Sequence, residues 1–246
     1  MKKIFKIFLS VSFCLSVMLS VISPALATST QEISEKELKD KIIVEQLKKE
    51  MEDSQKSYQQ QELRLDSQLN AYHNQAVEGL TKELVRIQWR NGVIALVLAG
   101  FELTPRFLSH SLNDNPENLS YPAGSQYSEI VRNSTEFKSL IAKFKSKLPS
   151  NGDYYSEQPH LILNSTKDLY LSLNKASVLI AAEKVNGSWK IYTRIHDKYD
   201  FEYANYNSSN GVPASFVTLV NNYAVASQQL GAIVPYHISF YMQDTK

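Results

Sequence analysis

The sequence predicts an α+β protein: a long helical region followed by a small antiparallel sheet module of order β-β-β-α-β. Three observations carry that prediction. Between Thr28 and Arg90, apolar residues recur at steps of three, four and seven among Lys, Glu and Gln. From Ser188 the chain alternates, with Trp189, Ile191, Thr193 and Ile195 on one side and Lys190, Tyr192, Arg194 and His196 on the other, the period of a half-buried strand. Asn186-Gly187 just before it is a two-residue hairpin signal that joins this strand to the run Ser177–Val185.

In chain order, residues 1–27 read as a secretory signal peptide. Lys2, Lys3 and Lys6 precede the apolar run Ile7–Ile22, and Ala25-Leu26-Ala27 supplies a small-x-small cleavage site. The expected localisation is therefore secreted. The single cysteine, Cys14, lies inside that run, so the mature chain has no disulfide and rests on its core. This is common in proteins exported by bacteria with one membrane. Without the three signal lysines the chain holds 23 basic and 25 acidic residues. That balance argues against a nucleic-acid partner, which calls for a basic excess or stripe. No later apolar run reaches the ~18 residues of a transmembrane span; Val93–Phe101 comes closest.

Residues 28–150 form the helical region. Thr28–Arg90 reads as one long amphipathic helix, or two with a weak break near Asp53–Ser57. Its spacing allows a coiled-coil dimer, but the polar run Asp53–Glu62 interrupts the seam. The favoured reading has the C-terminal half packed on the domain and the N-terminal half in solvent. Asn91–Leu112 is apolar all round and is expected to be buried between layers, with entry into a membrane as the sharper alternative. Thr104-Pro105 reads as the N-cap and first residue of a short helix to Leu112. His110, near its end, reads as solvated or held by the helix dipole. After a loop at 113–124, Ser125–Asn133 adds a turn. Ser134 then opens a helix to Leu148 with Phe137, Leu140, Ile141 and Phe144 inward.

Pro149–Gly152 marks the boundary to an α+β domain at 151–246. There Asp168–Leu173 reads as a strand, Pro213–Leu230 as a helix closed by Gly231, and Val234–Met242 as the last strand. The candidate site is the acidic end of the hairpin: Asp197, Tyr199 and Asp200. Paired carboxylates past a strand can bind a hard divalent cation such as Mg²⁺ or Ca²⁺. One of them can instead serve as general base on water while Tyr199 orients the substrate. The structural alternative has Asp197 capping a turn, Tyr199 and Phe201 in the core and Asp200 solvated. Arg194 and His196, sharing one side of the strand, are candidates to hold an anionic head group, although Arg194 can equally pair with a carboxylate. His160 reads as a solvated loop histidine and His73 as a surface residue on the long helix. No zinc spacing, Gly-rich phosphate loop or nucleophile elbow is present.

Asp197-x-Tyr199-Asp200-Phe201 after a hairpin strand, then a helix and a closing strand with Pro235-Tyr236-x-Ile238, resembles the catalytic end of the colicin M family. Those bacteriocins cleave the lipid II peptidoglycan precursor outside the cytoplasmic membrane. The likeness covers roughly Asp168–Lys246. The family carries a His-Arg pair six residues after the second aspartate, where this chain has Tyr206-Asn207; His196 or His237 could substitute in space. The resemblance implies an antibacterial toxin that hydrolyses a polyprenyl-phosphate-linked substrate, with a cognate immunity protein as partner. A second resemblance is to uncharacterised secreted proteins of Gram-positive bacteria, through Leu108-Ser-His110-Ser-Leu112 ahead of the Asp-x-Tyr-Asp hairpin. That likeness spans more of the chain and carries less functional information; the alternative function, which the absent His-Arg pair favours, is a non-enzymatic secreted interaction protein on a degenerate colicin M-like fold.

Overall fold

A computed structural model describes residues 35–71, 80–203, 211 and 213–246, leaving aside the side chains of 59–81. The expected signal segment, His73 and the Tyr206-Asn207 position lie outside the described residues. The helical part holds α1 (Glu35–Ala71), α2 (Leu80–Leu98), α3 (Leu103–Ser111), the short strand β1 (Leu119–Tyr121), α4 (Gln126–Arg132) and α5 (Thr135–Lys147). There follow β2 (Tyr154–Glu157), β3 (His160–Ile162), α6 (Lys167–Ser172), β4 (Lys175–Val185), β5 (Ser188–Tyr199), α7 (Ala214–Gln229) and β6 (Tyr236–Thr245). The class is α+β, and residues 35–246 are one compact unit, so the boundary expected at Pro149–Gly152 falls inside it.

The β4–β5 hairpin forms where the sequence places it. Asn186 and Gly187 take φ of 51° and 81°, the left-handed pair that a two-residue turn between twisted strands needs. The sheet runs β1-β6-β5-β4-β2, with β3 also on β4. All pairings are antiparallel except that of β1, which the helical region contributes, parallel to β6.

Residues paired across antiparallel strands share a face. Ile180, Thr193 and Met242 therefore lie on the inner face with Val178, Ile195 and Phe240. Helices α3 to α6 close over that face through Phe107, Val131, Phe137, Ile141, Phe144 and Leu169. The caps of α4 and α5 are Ser125 and Ser134, whose hydroxyls accept from the Ser128 and Phe137 amides.

Four expectations are corrected. Asp168–Leu173 is helical, because Thr166 caps it and Leu169, Tyr170 and Leu173 are buried at helical spacing. The N-terminal half of α1 is packed, not projecting: Val44 and Leu47 are fully buried on Leu179, Ala181 and Tyr192 of the outer sheet face. Of the two readings of this stretch, one helix or a break near Asp53–Ser57, the first holds there, since α1 runs through it unbroken. The apolar end of α2 is not buried between layers, since Ile94, Val97 and Leu98 are exposed. Finally, His110 is buried, with Nε2 2.7 Å from the Glu117 carbonyl and its ring edge-on to Tyr236. Burial lowers its pKa.

Candidate functional site

Strand β5 continues past His196 to Tyr199, so its alternation carries on through the acidic stretch. Asp197 pairs with Ile238 and Tyr199 with Tyr236 on the inner face. Arg194, His196 and Lys198 point to the outer face. The five candidates are therefore divided by the sheet itself.

Each has a definite environment. Tyr199 is core: 6% exposed, it meets Phe107, Phe201 and Tyr236. Burial pushes its phenol well above the ordinary range. Tyr199 thus fills the interior, as the structural alternative had it, while Phe201 is only half-buried against that core. Asp197 is half-buried at the rim of that core, and its Oδ1 accepts from the Lys198 amide at 2.9 Å. Burial pushes its carboxyl up to about 7; the amide bond opposes this and the charge of Asp200 adds to it. Asp200 leaves the strand and forms an ion pair with Lys198.

On the outer face, Arg194 is held by α1. Its Nη1 donates to both carboxylate oxygens of Glu50 at 2.7 Å, and the Tyr241 hydroxyl donates to the same carboxylate. The carboxylate comes from α1 rather than from a neighbouring strand. His196 Nδ1 lies 3.0 Å from Ser239 Oγ, and its ring stacks on His237 at 5.1 Å. The two histidines suggested as substitutes for the missing pair therefore meet each other on the face opposite Asp197. Sheet register aligns His160, Ser177, His196 and Ser239 in one row across three pairings. Residue spacing alone does not reveal that row. Among the described residues, no three His, Asp or Glu side chains come together as a metal site.

A second feature lies where α2 and α7 meet, around Trp89, Ala224 and Ile233. Trp89 Nε1 of α2 donates to Ser227 Oγ of α7 at 2.9 Å, and its ring stacks on Tyr223. Arg86 donates to the carbonyls of Gly231 and Ala232 just beyond α7. Rising numbers in α2 thus meet falling numbers in α7, and the helices are antiparallel. Their outward arcs are apolar. Of fourteen exposed large hydrophobic residues among those described, ten lie on α2, on α7 or at its cap Leu230. Leu98 is 83% and Leu219 70% exposed. The Tyr223 hydroxyl donates to Gln88, joining the two arcs.

No protein-family model, curated protein or solved structure matches this chain.

Proposed function

We propose that this is a secreted, non-enzymatic interaction protein that docks through the apolar arcs of α2 and α7. The observation that carries the reading is the concentration of exposed large hydrophobic side chains on those two helices. Scattered apolar residues are normal on a protein surface; ten of them gathered on two adjoining helices mark a contact site. The hairpin supports the same reading, since Tyr199 is structural, Arg194 is neutralised by Glu50, and Asp197 and His196 face opposite ways. A photo-cross-linking residue placed at Val97 is expected to give a discrete covalent adduct, and the same probe at Ser177 none. Equal labelling from both positions would sink the docking reading.

One observation favours a second reading. A half-buried carboxyl that titrates near neutrality beside another acid can exchange a proton at working pH. On this reading the protein is an antibacterial toxin. Asp197, with Asp200 and a divalent cation, hydrolyses a lipid-linked cell-wall precursor outside the membrane, and an immunity protein guards the producer. Incubating the purified protein and Mg²⁺ with lipid II decides it. Release of the pyrophosphate-linked head group by the parent chain but not by Asp197→Asn is the result this reading requires.

A further inference from the structure

We infer that the occupant of the α2–α7 face is the same face of a second copy of this chain, the two copies closing a four-helix bundle. This rests on the docking reading above and names its partner.

The spacing is that of a helix–helix seam. Leu84, Ile87, Asn91, Ile94 and Leu98 of α2 follow steps of three, four, three and four, and all five are exposed. Those are consecutive a and d positions of a heptad, the positions that enter a facing helix as knobs. Phe216, Leu219, Tyr223 and Leu230 of α7 and its cap repeat the pattern. Each copy thus presents two antiparallel seams side by side, which is half of a four-helix bundle. A two-fold axis over the Gln88–Tyr223 contact sets every seam against another, and a two-fold interface needs only one self-complementary patch. Asn91 sits at a central a position, where a lone polar residue selects register and number of helices.

Area and charge agree. With typical side-chain areas, the ten exposed hydrophobic residues present on the order of 1,000 Å². That matches the ~800 Å² each partner gives to a stable interface and exceeds the ~300–600 Å² patch of an ordinary monomer. A helix lying on a lipid surface carries cations along its flanks to meet head groups. Here the cations of α2 are committed: Lys82 and Arg86 bind Asp114, and Arg90 binds Glu83. No charged side chain occurs in α7 at all.

The test is light scattering on the full chain as processed by its expressing cell, from 1 to 100 µM. The expected species has twice the monomer mass. Ile94→Glu and Leu219→Glu, both at exposed positions, are expected to weaken association by about 30-fold or more, the effect of losing a central anchor. Ile94→Gln should do so more mildly with an unchanged circular dichroism spectrum, and Ser177→Glu on the sheet should have no effect. A monomer throughout that range overturns the inference. If that monomer floats with phosphatidylcholine vesicles, or if the Val97 adduct has the mass of a different protein, the docking reading stands and only the self-association fails. A monomer with no adduct overturns both.

Discussion

Asp197 and His110 tie the stability of the core to pH in opposite directions. The folded pKa of Asp197 is raised by burial to about 7. Its contribution is therefore fully present below the unfolded carboxyl pKa and is lost as pH rises from about 4 through 7. His110 has a depressed folded pKa, so its contribution is present above the ordinary histidine value and is lost as pH falls below it. Asp197→Asn, which keeps an acceptor for the Lys198 amide, is expected to raise Tm at pH 8 by about 2–6 °C and to change nothing at pH 4. Thermal melts across that range check it. Asp200→Asn removes the neighbouring charge and should lower the titration midpoint of Asp197, read by carboxyl NMR.

At the scale of elements, several contacts bridge segments far apart in sequence. The Asp168 carboxylate accepts from the amides of Glu102, Leu103 and Thr104 and from the Thr104 hydroxyl. It caps α3 from another helix, answering donors that no residue of α3 satisfies. Asp168→Ala leaves those donors without it and is expected to cost about 2–3 kcal/mol in urea unfolding, with Asp168→Asn costing less. Leu47, buried where α1 crosses the sheet, is a second such point; Leu47→Ala should cost about 2–4 kcal/mol. These contacts explain what the sequence could and could not disclose. Local signals were legible: Asn186-Gly187, the Ser134 cap, the alternation of β5. Asp168–Leu173 was not, because alternating Leu169, Leu171 and Leu173 mimics a strand while the buried set is helical. The candidate site suffered similarly. Residue types were readable at Asp197 and Asp200, but the face each takes depends on where β5 stops. That is set by pairing with β6, some forty residues away in sequence.

At the scale of the molecule, the helical and sheet regions are not independent. Strand β1 pairs with β6, α1 covers β4 and β5, and α3 to α5 close the inner face. Residues 151–246 expressed alone are expected to lack dispersed NMR resonances, and adding residues 28–150 should restore them. A dispersed spectrum from 151–246 alone would refute the dependence.

The position of β6 has a bearing on how the protein comes into being. It sits inside the sheet, between β5 and β1, yet follows every other strand in the chain. Until it arrives, β1 has nothing to pair with and the floor beneath α3 is open. A chain in which β4 and β5 have formed but β6 has not therefore leaves β1 unpaired and that floor open, and the sheet is complete only once β6 is in place.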